Sequence, residues 1–284
     1  MVKIIEKIDE MQSLSFELRT KGKKIVFVPT MGYFHEGHLS LMRWGRKHGD
    51  VLVVSVFVNP TQFGPNEDLS RYPRDLERDK ALAEKEKVDV LFVPKAEDMY
   101  SDDHSSWVEV KGLSEVLCGK SRPGHFRGVC TVVCKLFNIV QPHIAVFGEK
   151  DWQQLKIIQK MVKDLNIPVK VVGRPIVREK DGLAMSSRNT YLSSEERKEA
   201  TNIYKGLQLA KSFVKQGILD REELLTRVKN FYKEKIPLGK IDYVELVHPE
   251  KLYPVERVEG KALLAVAIFI GKARLIDNIL LEGE

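Results

Sequence analysis

Cysteine is scarce in this chain. Only Cys118, Cys130 and Cys134 occur in 284 residues, an odd number without paired spacing, which argues against a disulfide framework and against a zinc site. Cys130 and Cys134 stand four apart in an apolar stretch of helical pattern and read as core packing. Long apolar runs are missing as well. The longest, around Val51–Val58 and Ala262–Ile270, are too short to span a membrane. The first ten residues are charged throughout and do not resemble a signal peptide, so a soluble cytoplasmic protein with no membrane partner is expected. No internal repeat or low-complexity segment is visible. The net charge of +6 comes without any Lys/Arg block, which favours an ordinary solvated surface or small anionic substrates over nucleic acid. There is neither a Gly-x-x-x-x-Gly-Lys-Ser/Thr loop nor a Gly-x-Gly-x-x-Gly turn. A nucleotide, if bound, is held by another device.

What is present is a globular composition, 43% hydrophobic and 30% charged, in a length that suits one large domain or two ordinary ones. Spaced apolar residues predict a helix over Val2–Arg19. Ile25–Val28, Val51–Val58, Val88–Val93, Ile144–Phe147 and Val169–Val172 read as five strands. Their hydrophobicity is continuous, as in a parallel sheet buried on both faces. Between them, Leu39–Lys47, Asp75–Lys87, Phe126–Val140 and Asp151–Leu165 have helical patterns, with Asp151 suited to a helix start. This alternation predicts an α/β fold with a doubly wound, Rossmann-like parallel sheet over residues 1–177. In such sheets ligands gather at the carboxyl ends of the strands. The pattern changes near 178. A capping box, Ser193-Ser194-Glu195-Glu196, opens a helix to about Val214, and Asp220 opens another. Strands Tyr243–Val247, Leu263–Ile270 and Arg274–Asn278 follow, the last two flanking a hairpin turn at Gly271-Lys272. Residues 178–284 are therefore expected to form a smaller α+β domain closing over the site.

Four constellations can carry chemistry. Met31-Gly32-Tyr33-Phe34-His35-Glu36-Gly37-His38 lies between the first buried strand and a helix, so both imidazoles sit beside free N–H groups at a helix N-terminus, where anions are favoured. Gly148-Glu149-Lys150-Asp151 occupies the same kind of position after the fourth strand. Its Lys150 is unfavourable at a helix start unless an anion lies between. Met185-Ser186-Ser187-Arg188 offers two hydroxyls and a guanidinium for phosphate oxygens, on a loop placed to close and open. Gln62 and Gln154 supply carboxamides that bind hydroxyls and carboxylates without adding charge. The basic loop Arg122–Arg127 and the stretch Arg71–Arg74 can shape a cleft wall.

These blocks resemble the pantothenate synthetases, or pantoate–β-alanine ligases. The resemblance runs from about Val26 to Ser193. It rests on the Pro29–His38 turn, Phe57–Phe63, Tyr72-Pro73-Arg74, Arg122–Val129, Phe147–Leu155 and Asp181–Asn189. Tyr33-Phe34 stands where that family more often has Ala-Leu. The resemblance implies condensation of pantoate with β-alanine at the expense of ATP, through a pantoyl adenylate, with AMP and pyrophosphate released. Transferred residue by residue, it implies catalytic roles for His35, His38, Lys150 and Arg188. ATP would be bound by Met31–His38, Gly148–Asp151, Val177 and Met185–Arg188. Pantoate would be gripped by Gln62 and Gln154, and β-alanine by Gln62. Mg²⁺ would be carried on the ATP phosphates, with no dedicated protein ligands, and the enzyme would be a homodimer. A simple nucleotidyltransferase shares the His-x-Gly-His turn. An RNA-binding module has only net charge in its favour.

Overall fold

The structure, a computed structural model, describes residues 1–65 and 67–283. The chain runs β1 (Lys3–Ile5), α1 (Ile8–Thr20), β2 (Ile25–Thr30), α2 (Glu36–Arg46), β3 (Val51–Val56), α3 (Leu76–Lys85), β4 (Val90–Phe92) and α4 (Ala96–Met99). It continues through α5 (Cys118–Ser121), α6 (His125–Val140), β5 (Ile144–Gly148), α7 (Trp152–Asp164) and β6 (Lys170–Arg174). Then come α8 (Ser194–Ala200), α9 (Asn202–Lys215), α10 (Arg221–Lys235), β7 (Gly239–Val247), β8 (Lys261–Ile270) and β9 (Ala273–Glu282).

β1 to β6 form one sheet in the order β1-β4-β3-β2-β5-β6, every pair parallel. The continuous hydrophobicity of its strands follows from burial on both faces. Ile25, Phe27, Val53 and Phe92 point into a core with α1, α6 and α7. Their neighbours Val26, Val28, Val54 and Leu91 point the other way, into a core with α2 and α3. β7, β8 and β9 form a separate antiparallel sheet. It packs against α9 and α10 around Leu207, Val228, Val244 and Val266. The hairpin turn at Gly271-Lys272 forms as expected, with Gly271 at φ +53.

Three expectations need correction. Val2–Arg19 is not one helix: residues 3–5 pair with β4 (Lys3↔Val90) before α1 begins at Ile8, giving six parallel strands instead of five. A three-residue strand has too few alternations to register in sequence, and its pairing across the sheet overrides the helical spacing. The helix from Ser193 is two helices separated at Thr201, although the Ser193/Glu196 capping box forms as read. Asp151 precedes α7 but caps nothing; its carboxylate lies 3.6 Å from the Lys150 ammonium instead.

From β2 the chain proceeds to β3 on one side, and from β5 to β6 on the other. The strand order therefore reverses between β2 and β5, and a crevice opens at their carboxyl ends. The segments that leave those two ends are the His35–His38 turn and the Gly148–Asp151 turn.

Candidate active site

The turn after β2 is braced from behind. Gly32 has φ +82, and a Cβ there would come within 2.8 Å of Val56 Cγ1, so a residue without a side chain is required. The next two backbone N–H groups, of Tyr33 and Phe34, donate to the two carboxylate oxygens of Asp79 on α3, each at 2.7 Å. Burial pushes the Asp79 carboxyl above its usual range, against the pull of those two donors. Phe34 is wholly buried and anchors the turn in the core.

α2 then starts at Glu36, with His35 as its N-cap. His35 Nδ1 accepts from Gly37 N–H at 3.1 Å, and His38 Nδ1 accepts from His35 N–H at 3.3 Å. The two rings lie 4.1 Å apart. Burial, followed by the positive charge of Lys150, lowers His35 to a pKa of about 4. Burial, then His35 and Lys150, holds His38 well below its ordinary value. Both rings are therefore neutral near pH 7. Because each Nδ1 is an acceptor, each proton sits on Nε2, which leaves two N–H donors side by side.

A cavity of 220 Å³ lies at this point. Met31, His35, Gly37 and His38 line it from the first turn, and Gly148, Lys150, Asp151 and Gln154 from the β5 end. Gln62 contributes from the turn after β3, and Val177, Met185, Ser186, Ser187 and Arg188 from the segment after β6. It adjoins a larger cavity of 850 Å³ between the two sheets, with Gln62, Lys150, Asp151, Gln154, Ser186 and Arg188 lining both. The remaining sequence candidates do not face it. Gly32 backs onto Val56, Phe34 is in the core, and Tyr33 lies under the Arg78 guanidinium. Glu36 pairs with Arg43, and Glu149 packs against Gly173.

Several supporting residues, apart from Arg122 and His125 of the basic loop, escaped the sequence reading. Asn59, 1% exposed, donates through its amide to Gln62 Oε1 and to Gly128 O, both at 3.1 Å. Gln62 is thereby oriented, with Nε2 toward Met31 Sδ at 3.2 Å. The Gln62 carbonyl accepts from His125 Nδ1 at 2.8 Å, and Arg122 binds both the carbonyl and Glu67. Burial, then the charge of Arg122, lowers His125 to about 4. Arg188 is bound side-on by Asp68, and Asn278 on β9 donates to the Glu149 and Lys150 carbonyls at 3.0 Å each. Asn59 and Asn278 look in sequence like turn and strand-end residues, and Asp68 like one acid beside another; no local pattern marks any of them.

The arrangement is chemically suited to an anion. Two fixed neutral donors, an ammonium and a guanidinium converge at a topological switch point, next to carboxamides that can hold a neutral polar group. Such preorganised donors act where negative charge develops on phosphorus.

A family model described as pantoate-beta-alanine ligase matches residues 3–280. The pantothenate synthetase of Thermosipho melanesiensis is 58% identical over 282 residues, 99% of this chain and 100% of that protein. That of Maridesulfovibrio salexigens is 60% identical over 273 residues, 96% and 97%. The crystal structure of pantothenate synthetase from Thermus thermophilus superposes with a TM-score of 0.92 at 45% identity, covering 98% of this chain and 99% of that one. A pantoate-beta-alanine ligase from Francisella tularensis, complexed with beta-gamma ATP and beta-alanine, superposes at 0.81 with 38% identity over 99% and 98%. With a match across nearly its whole length in sequence and in fold, the chain belongs to the pantoate–β-alanine ligase family.

Proposed function

We propose that this protein condenses pantoate with β-alanine in two steps at the crevice between β2 and β5. In the first, a pantoate carboxylate oxygen forms a bond to the α-phosphorus of ATP, and the bond to the β-phosphate oxygen breaks with release of pyrophosphate. In the second, the β-alanine amine forms the amide bond at the acyl carbon of the enzyme-bound adenylate, AMP leaves with the bonding electron pair, and the amine loses a proton. The observation that carries this reading is the pair of Nε2–H donors of His35 and His38 beside Lys150. They can serve the charge that builds on the five-coordinate phosphorus, and neutral rings stabilise it by hydrogen bonding rather than by proton transfer. Pyrophosphate is a good leaving group, and the nucleophile is already ionised, so no acid is required.

Lys150 and Arg188 would bind the triphosphate, the backbone at Gly148, Asp151 and Val177 the adenosine, and Ser186 and Ser187 the phosphate oxygens. Gln62 and Gln154 would hold pantoate; the Gln154 side chain makes no hydrogen bond among the described residues and lines both cavities, so its carboxamide is available. Gln62 also faces the larger cavity, the side from which β-alanine would approach. No group of three acidic, His or Cys side chains is placed to cage a metal among the described residues. Mg²⁺ would come on the phosphates, which suits its preference for phosphate and water ligands, and would neutralise their charge. The reading also includes a C-terminal domain, residues 178–284, that closes to keep water from the adenylate. A homodimer in the cytoplasm is part of the same reading. The test is one assay with ATP, pantoate and β-alanine, each omitted in turn. Pyrophosphate from ATP and pantoate alone, followed by pantothenate and AMP once β-alanine is added, is expected. Pyrophosphate release that needs β-alanine would rule out the first step as written.

A further inference from the structure

Arg188 is not a free cation. It rises from the turn Ser187–Tyr191, where its own N–H donates to Ser186 Oγ at 3.2 Å. Its Nε and Nη2 donate to Oδ2 and Oδ1 of Asp68, each at 2.9 Å. Two parallel bonds to one carboxylate fix the plane of a guanidinium as well as its place. Asp68 is 9% exposed and is itself held, because Tyr191 O–H donates to Oδ2 at 3.1 Å. The ring of Tyr72 lies 5.6 Å from the guanidinium carbon. Among the described residues nothing else bonds this guanidinium, so Nη1 keeps both N–H groups free while the side chain lines both cavities.

We propose that Asp68 is a positioning residue for the ligase reaction: it clamps Arg188 side-on so that the free Nη1 is presented to the triphosphate before ATP arrives. The inference rests on the assignment of Arg188 to the polyphosphate. The clamp leaves the guanidinium one orientation instead of many, so the ordering is complete before binding. It also offsets the charge of Arg188, which then acts as an aimed pair of donors, with Lys150 as the less constrained cation. The rival use of the same contact is a latch, in which Asp68 occupies Arg188 until phosphate displaces it. The two differ in sign. A clamp makes loss of Asp68 harmful to ATP use; a latch makes it helpful.

The experiment uses the full chain and measures single-turnover pyrophosphate release, with KM for ATP and for pantoate, in Asp68→Ala, Asp68→Asn, Arg188→Ala and the double variant Asp68→Ala/Arg188→Ala. Misplacement of one aimed group is worth roughly 10²-fold. Asp68→Ala is expected to slow release by that order and to leave the pantoate KM unchanged. Asp68→Asn, which keeps one acceptor, should lose less, and it decides the matter alone if Asp68→Ala does not fold. The double variant should be no slower than Arg188→Ala, because a residue that acts through Arg188 has nothing left to position. A wild-type rate or tighter ATP binding in Asp68→Ala, with Arg188→Ala impaired, overturns the clamp. So do losses that multiply in the double variant. If Arg188→Ala itself releases pyrophosphate at the wild-type rate, the assignment of Arg188 to the polyphosphate fails first, and the positioning role fails with it.

Discussion

His38 Nδ1 accepts a hydrogen bond from the backbone N–H of His35, and His35 Nδ1 accepts one from Gly37, so the pair caps the helix that carries it. A histidine ring that caps through Nδ1 has no choice of tautomer. The N-cap, a structural device, fixes the chemistry of the site: both outward nitrogens are donors. The expected result is that the imidazole nitrogens of both residues, observed by NMR in the free protein at pH 7, show Nε2 protonated and Nδ1 bare. An Nδ1–H tautomer in either ring would contradict this.

The same geometry separates stability from catalysis at His38. An Asn side chain places its oxygen near the position of Nδ1 and can keep the cap, but it has nothing at Nε2. A Gln side chain reaches the Nε2 position but abandons the cap. His38→Asn should stay close to wild type in stability and slow adenylate formation by roughly 10²–10³-fold, the value of one transition-state donor. His38→Gln should retain more activity and lose about 1 kcal/mol of stability, the usual value of a cap. Urea denaturation and single-turnover pyrophosphate release read the two effects independently, and equal behaviour of the two variants would refute the division.

Burial of neutral histidines makes stability depend on pH. In the unfolded chain each takes a proton near pH 6.5. In the folded chain His35 and His125 do so only at about 4, and His38 is also lowered. Between those values the unfolded state binds more protons, so stability is fully present above pH 6.5 and falls with pH towards 4. The limiting slope is about 1.4 kcal/mol per pH unit for each histidine. Denaturation midpoints at pH 7, 6 and 5 should decline accordingly, and His125→Gln should flatten the decline by its own share. Because the raised carboxyls of Asp79 and Asp277 act in the opposite sense, the comparison with His125→Gln decides: a decline unchanged by that substitution would mean that the His125 ring is not held neutral.

The contrast between His38 and Asn59 shows what the sequence reveals. His38 is legible because a rare residue pair stands in a strand–turn–helix context, and both the turn and the helix start are local. The strands Ile25–Thr30 and Val51–Val56 are legible for the same reason, since burial on both faces writes an unbroken apolar run. β1 has only three residues, and its strand character comes from pairing with Val90, which is distant in sequence. Asn59 stands only three residues from Gln62, but its amide is aimed by Gly128, 69 residues away, and Asp68 and Asn278 act on Arg188 and the Lys150 turn across distances that only the fold closes. Arg188 and Asp68 are 120 residues apart. Only the folded chain brings such partners together, so a single sequence contains the donors but not what aims them.

Asn59 provides a test of aim against contact. It holds Gln62 through Oε1 and, at 1% exposure, shows only a sliver of its surface to the cavity that Gln62 lines. Asn59→Ala would release the Gln62 carboxamide and leave the Gly128 carbonyl and the Thr61 hydroxyl without a partner they now have. A loss of stability of about 1–3 kcal/mol is expected, the penalty for stranding buried polar groups. The pantoate KM should rise and the ATP KM should not. Equal rises in both would place Gln62 outside the pantoate site.

Asp277 and Arg178 fix the segment that carries Met185–Arg188 to the antiparallel sheet. Asp277, 3% exposed on β9, receives Arg178 Nη1 at 2.6 Å and Nη2 at 2.9 Å, and the guanidinium also stacks on Tyr204 at 3.7 Å. Burial raises the Asp277 carboxyl pKa, opposed by its bonds and charge interaction with Arg178. The pair need not add net stability, because two desolvated charges offset most of their attraction. Removing one partner is different, since it strands the other. Asp277→Ala should therefore cost about 3–5 kcal/mol, while Asp277→Ala combined with Arg178→Met should recover much of that. If the pair only supports the fold, the recovered double variant should regain full activity. If it also sets the position of the Ser186–Arg188 loop, the double variant should be stable and still have a raised KM for ATP. Thermal denaturation beside ATP kinetics distinguishes these, and the structure favours the second outcome, because Arg178 and the Ser187 turn lie on one short connection after β6 with no other charged tie to β9 among the described residues.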